Sequence, residues 1–303
     1  MKKSRVVFFG NEQLAQGLEK PITPTFDALI ANNYEICALV LPRNPLSKSR
    51  PNQKMAIVSA AENHKMQLIF ADEENDLDGT LRKLDADVGV LASFGKIVKQ
   101  STIDVFPYGI VNIHPSLLPK YRGSTPIETA ILNGDTETGV SLMQLVAKMD
   151  AGGVFAMEKI MISNQESKQE LYEKSANLGA KMLIESLPRI LSKELKPTPQ
   201  DESRATFTQQ LMKKSGDLDP SAMTAIECER KIRAFLNFPK TRLCFFGQET
   251  IITNAKVLEN FAGENWPDII PCSEKTFLQI QEVINPKSGK RMSVADYLRG
   301  IQT

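Results

Sequence analysis

The sequence predicts an α/β fold, a doubly wound and mostly parallel sheet over residues 1–195, followed by a small β barrel or sandwich over residues 205–303. In the first part, short β-rich runs alternate with amphipathic stretches, as in parallel strands joined by crossover helices. That alternation stops at KPTPQDESR (196–204), where two prolines and charged or small residues replace apolar periodicity and mark a linker. Beyond it the chain is mostly β-rich with one amphipathic helix, the pattern of a small closed or two-layered β domain.

Strands are expected at 5–9, 36–41, 67–70, 88–91 and 109–113. Between them, 24–32, 54–63 and 76–84 carry apolar residues at helical spacing, for example Phe26, Leu29 and Ile30. Two further β runs, 139–146 and 153–162, flank the turn Asp150-Ala151-Gly152-Gly153 and extend the sheet. A long helix over 167–191 opens with Ser-Lys-Gln-Glu, a capping box. After the linker come a helix at 225–235, β runs at 242–246, 250–255 and 277–284, and a closing helix at 293–299.

Composition excludes several classes. A length of 303 residues suits two domains, and 42% hydrophobic residues rules out wholesale disorder. Lys+Arg 37 against Asp+Glu 36 leaves a net charge of +1, so a polyanion must be met by a local patch. The first apolar run covers only residues 6–9, and none approaches the ~18 residues of a membrane span. Neither a leader nor a membrane anchor is expected, and the protein is placed in the cytoplasm. Cys37, Cys228, Cys244 and Cys272 lie far apart with no CxxC pair, which fits reduced thiols. No metal is expected. Gly10 and Gly17 lack the G-x-G-x-x-G spacing of a dinucleotide site, and neither Walker A nor HExxH occurs, so Gly10 is read as a tight turn.

The informative segment is GIVNIHPSLLPKYRG, residues 109–123. The period of two in a strand puts Asn112 and His114 on one face at its carboxyl end, where open α/β sheets place their ligands. An amide and an imidazole converging on one point can stabilise a developing oxyanion and move a proton, the requirements of acyl transfer. The one other histidine, His64, ends a polar helix and is read as solvated. Asp150, in the Gly-rich turn of KMDAGG, is either an ordinary turn aspartate or an acidic partner held close to the strand ends.

The block NIHPSLLPKYRGSTPIETAILNGDTETGVSLMQLVAKMDAGG resembles the signature of the folate-dependent formyltransferases, with Asn112, His114 and Asp150 matching that family's catalytic Asn-x-His and distant Asp. KIRAFLNFP and SGKRMSVADYLRG resemble parts of the C-terminal domain of the methionyl-tRNA-directed branch, so the similarity spans nearly the full length. The resemblance implies a formyltransferase-like Rossmann variant joined to an OB-like C-terminal barrel that binds tRNA. It implies 10-formyltetrahydrofolate as donor and the α-amino group of initiator methionyl-tRNA as acceptor; a monomer is expected. Asn112 and His114 would donate to the alkoxide, His114 would handle the amine proton, and Asp150 would orient His114 or a bound water, keeping the imidazole in the useful tautomer. Leu91, Ala92, Ser93, Phe94 and Gly95 would line the pterin pocket, with Ser116, Leu117, Leu118 and Pro119 as the opposite wall. Arg43, Lys48, Arg50 and Lys54, in a basic loop after the second strand, would contact the acceptor end of the tRNA. The chain departs from the family in having no glycine in that loop, and in Asn11-Glu12-Gln13 where Thr-Pro-Glu is common. A sugar-nucleotide N-formyltransferase is the rival enzyme, and a non-catalytic folate- or tRNA-binding protein the rival of another class. A chain cut near Arg204 is expected to keep folate binding and slow transfer while losing most tRNA affinity.

Overall fold

The computed structural model describes residues 3–43, 55–259, 261 and 266–301. The first part comprises β1 (Arg5–Gly10), α1 (Pro24–Ala31), β2 (Glu35–Leu41), α2 (Ala56–Asn63), β3 (Gln67–Phe70), α3 (Leu77–Arg82), β4 (Val88–Ala92), α4 (Gln100–Ile103), β5 (Ile110–His114), α5 (Pro126–Asn133), β6 (Glu137–Gln144), β7 (Val154–Met161) and α6 (Lys168–Leu191). The strands form one sheet in the order β3-β2-β1-β4-β5-β6-β7. β1 to β5 pair in parallel, whereas β6 and β7 add antiparallel. Strand order reverses between β1 and β4, and this switch point opens a crevice at the strands' carboxyl ends.

The apolar run of β1 shows why the sheet is covered on both faces. Val6 and Phe8 belong to a core shared with α1, α2, α5 and α6, while Val7 and Phe9 belong to a core shared with α3 and Phe106. Gly10 ends β1 at φ +101°, and a Cβ there would lie 2.3 Å from the Ala92 carbonyl. Glycine at this turn therefore serves close approach between β1 and β4.

Helix α1 lacks a side-chain cap from Thr23. The buried Glu12 carboxylate instead accepts hydrogen bonds from the Thr25 and Phe26 amides, at 2.7 and 3.0 Å, and satisfies donors of its first turn. Burial outweighs these donors and pushes the Glu12 carboxyl up to about 7. The sign is the reverse of the usual carboxylate. Between the ordinary value near 4.5 and 7 the folded chain holds a proton that the unfolded chain releases, so stability falls as pH rises through that window. The loss approaches an order of 3 kcal/mol above pH 7. Glu128, buried near Lys168, is raised in the same direction by burial and contributes to the same slope. Urea unfolding at pH 5 and pH 8 is expected to show a clear drop for the wild type and a smaller one for Glu12→Gln. Equal drops in the two proteins would remove Glu12 as the source.

The second part comprises α7 (Ala225–Ala234), β8 (Thr241–Phe245), β9 (Gln248–Leu258), β10 (Ile269–Pro271), β11 (Phe277–Ile284), β12 (Arg291–Ser293) and α8 (Val294–Ile301). These strands make an antiparallel half-barrel in the order β10-β11-β9-β8, with β12 on β11. Its core joins Cys228 and Ile232 of α7 to Ile252, Leu278 and Tyr297. Phe235, just past α7, is buried in the core of the first part instead. Helices α4 and α5 and strands β10 and β12 are additions to the sequence-based reading. α4, β10 and β12 span only three or four residues, too few to display a period.

The segment expected as a linker, 196–204, is hydrogen-bonded to the first part. The Thr198 and Val154 backbones exchange two bonds, of 2.8 and 2.9 Å. The pairing continues beyond it: the Arg122 amide donates to the Thr206 carbonyl at 2.9 Å, and the Thr208 amide donates to the Arg122 carbonyl at 2.8 Å. Residues 198–208 thus form a strap across the carboxyl-end face of the sheet.

Candidate active site

A cleft of about 450 Å³ lies at the switch point, lined among others by Leu14, Phe94, Asn112, His114, Val146, Asp150 and Thr208. The register explains the convergence. Gly10 pairs with Ala92, and Leu91 with Asn112, so the ends of β1, β4 and β5 come side by side. Asn112 and His114 occupy the last turns of β5's pleat on one face, as the period of two requires. Both are about 95% buried, at 5% and 4% exposure, yet both reach the cleft. The Asn112 side-chain amide has no hydrogen-bond partner among the described residues, which leaves its donors free for whatever fills the cleft.

The histidine's orientation is fixed by its neighbours. Its Nε2 lies 2.9 Å from the Tyr121 carbonyl, an obligate acceptor, so Nε2 carries a hydrogen and donates. Nδ1 is then the nitrogen that gains or loses a proton, and it lies 3.7 Å from Asp150 Oδ2. That oxygen also accepts from the Gly123 amide at 2.7 Å. The sequence reading assigned the tautomer to Asp150; the geometry gives it to the Tyr121 backbone. Asp150 instead faces Nδ1, where a carboxylate stabilises an imidazolium as it forms. Asp150 has φ +44° and Tyr121 φ +61°, both left-handed non-glycine residues held by the surrounding hydrogen bonds.

Of the expected pterin-pocket residues, Leu91, Ser93, Phe94 and Gly95 line the cleft, while Ala92 is buried in the sheet core. Ser93 Oγ donates to the Gln13 carbonyl at 2.6 Å and ties the first loop to the end of β4. Ser116, Leu117, Leu118 and Pro119 do not line it. Ser116 is fully buried, its hydroxyl donates to the Lys120 carbonyl, and the Leu118 amide donates to Ser141 Oγ, so this segment turns into the protein. Leu145, Val146, Ala147 and Met149, after β6, supply that part of the lining. Glu12 also turns inward, to cap α1, while Leu14 of the same loop faces the cleft.

Arg43 is exposed just past β2, on the edge of the sheet that carries the cleft; Lys48, Arg50 and Lys54 lie outside the described residues. The strap and the residues just after it add two lining residues the sequence did not reveal, Thr208 and Gln210. The signal that could have found them is the alternation of Thr206 and Thr208 with Ala205 and Phe207, the spacing of an extended segment with one polar side. Close approach enforces the fit. A Cβ at Gly123 would sit 2.5 Å from Thr208 Oγ1. Among the described residues no group of three or more His, Cys, Asp or Glu could hold a metal, and no helix is long and apolar enough to cross a membrane.

Comparison with known proteins places the chain among formyltransferases. The family described as formyl transferase matches residues 8–187. A methionyl-tRNA formyltransferase of Chloroflexus aggregans is 34% identical over 98% of this chain and 97% of its own length. That of Methylococcus capsulatus is 33% identical over 97% and 96%. Among solved structures, WlaRD, a sugar 3N-formyltransferase, superposes with a TM-score of 0.65 at 17% identity over 94% of this chain and 99% of its own. HypX from Aquifex aeolicus with tetrahydrofolic acid gives 0.64 at 16% identity, covering 98% of this chain and 47% of its own. At such identities these two structures show the shared fold.

Proposed function

Because the chain belongs to the methionyl-tRNA formyltransferase family, we propose that it transfers the formyl group of 10-formyltetrahydrofolate to the α-amino group of methionine on initiator tRNA. The observation that carries this reading is the pair at the end of β5, an Asn112 side-chain amide without a partner among the described residues beside a cleft-lining histidine whose Nδ1 lies 3.7 Å from Asp150. The amine attacks the formyl carbon and the carbonyl electrons move onto oxygen. Asn112 donates a hydrogen bond to that alkoxide. His114 Nδ1 takes the amine proton, with the Asp150 carboxylate opposing the charge that results, and returns it to N10 as tetrahydrofolate leaves. Leu91 and Phe94 give the pterin an apolar bed, and the exposed lining residues Ile97 and Met149 mark the side that admits the acceptor end.

The test is formyl transfer from 10-formyltetrahydrofolate to charged initiator tRNA, with an amino-sugar nucleotide as the competing acceptor. Only the tRNA is expected to be formylated; transfer to the sugar alone would reverse the assignment. For the basic loop we read Arg43, with Lys48, Arg50 and Lys54, as phosphate contacts. Arg43→Ala is expected to raise KM for charged tRNA roughly tenfold or more, the value of one charge-assisted hydrogen bond, without changing folate affinity. Wild-type KM in that variant would make the loop a solvated connector.

A further inference from the structure

Asp150 is held at both ends. Its carboxylate accepts from the Gly123 amide at 2.7 Å, and its backbone carbonyl accepts from Gln200 Nε2 at 2.8 Å. The same Gln200 nitrogen donates to the Gly152 carbonyl at 2.7 Å, so one side-chain amide spans the tip of the turn. Gln200 is itself fixed by Arg122, whose Nε and Nη2 donate to Gln200 Oε1 at 3.1 and 2.8 Å. Arg122 is fully buried, and its remaining donors meet Glu202 at 2.6 and 3.2 Å. Glu202 also pairs with Lys148, two residues before Asp150, at 2.7 Å. Arg122 and Gly123 are adjacent in the chain, so one short segment grips Asp150 by its carboxylate directly and by its carbonyl through the strap.

A residue at φ +44° without glycine's freedom stays there only where its surroundings over-determine it. The turn's other constraint is steric: Gly152 packs so closely on β6 that a Cβ would lie 1.7 Å from the Gln144 carbonyl. That packing sets the far side of the turn and leaves Gln200 to set the rotation of the Asp150 peptide. We propose that Gln200, clamped by the buried Arg122, is a positioning residue that holds the Asp150 carboxylate toward His114 Nδ1. The post-helical strap is then part of the active site and not only a connection to the half-barrel. The proposal rests on the roles assigned above to Asp150 and His114.

Gln200→Met keeps the side-chain length and removes both donors. In the full chain it is expected to lower kcat for charged tRNA about tenfold, the scale of a sub-ångström to ångström misplacement, with KM for both substrates within about twofold. In an Asp150→Asn background the same change is expected to add nothing, because its effect passes through the carboxylate already removed. The unfolding temperature falls in either case, because Arg122 loses its Oε1 acceptor, but a merely structural glutamine would subtract equally from both backgrounds. A second readout is independent of turnover. The chain has two histidines, His64 and His114, so proton NMR of their ring Cε1–H groups separates the site from the surface. Gln200→Met is expected to displace the His114 resonance and leave that of His64 in place, and to displace neither in Asp150→Asn. An unmoved His114 resonance, or additive losses of kcat, overturns the proposal. If the wild type transfers no formyl group to charged tRNA, the functional reading fails, and the His114 resonance still decides the clamp.

Discussion

Asn112→Ala lowers kcat about a hundredfold or more, with folate binding almost unchanged, if the amide donates to the alkoxide; that is the usual cost of removing one such donor. The geometry sharpens the expectation. The amide makes no bond to other described residues, so its removal breaks no internal network, and the loss should appear in the transition state and not in stability. His114→Ala is expected to be at least as severe, since it removes the proton carrier and also leaves the Tyr121 carbonyl without its donor. Single-turnover rates with both substrates saturating, together with folate titrations, separate chemistry from binding. An Asn112→Ala enzyme that keeps more than half of the wild-type rate is incompatible with the oxyanion role.

The parts of this site that were legible in the sequence obey local rules. Asn112 and His114 stand two apart in a β run, and the apolar runs of β1, β4 and β5 announce buried parallel strands. Asp150 was ambiguous from its turn alone and was selected through family resemblance. What was hidden depends on pairing between distant segments. The carbonyl that fixes His114 is a backbone atom of Tyr121, which no side-chain pattern reports. Gln200 meets Arg122 across 78 positions, and Thr208 meets Thr125 across 83. Read locally, KPTPQDESR has only the marks of a connector. Its polar side chains look solvated until the buried guanidinium of Arg122 is seen beside them. The same blindness affected charge. Lys231, Arg233 and Arg242, basic residues of the second part, are held by neighbours: Lys231 donates to the Asp217 carbonyl, Arg233 pairs with Glu229, and Arg242 bonds the Lys213 and Pro239 carbonyls. Lys213, Lys214, Lys287 and Lys290 are exposed, as are Lys256 and Lys275.

The strap changes what removal of the second part should do. A chain ending at Arg204 retains Gln200 and Glu202 but loses Thr206 and Thr208, whose backbones pair with Pro119 and Arg122, and loses Thr208 and Gln210 from the cleft. A chain ending at Lys214 keeps all of these and loses the half-barrel. Both lack α7 and Phe235, so they expose the same apolar surface of the first core and give up the Lys168 bond to the Phe238 carbonyl alike. The difference between them isolates residues 205–214. The chain ending at 214 is expected to bind folate and to transfer formyl slowly, with weak and less salt-sensitive affinity for charged tRNA, because part of the phosphate-contacting surface and its tether are gone. The chain ending at 204 is expected to fall a further hundredfold or more in single-turnover rate at saturating tRNA, since the Asp150 turn has lost the extended segment that anchors its clamp. Circular dichroism at the assay temperature confirms that both are folded before rates are compared. If the shorter chain matches the longer one in rate, the strap does not shape the chemistry, and the boundary near Arg204 marks the end of the catalytic unit.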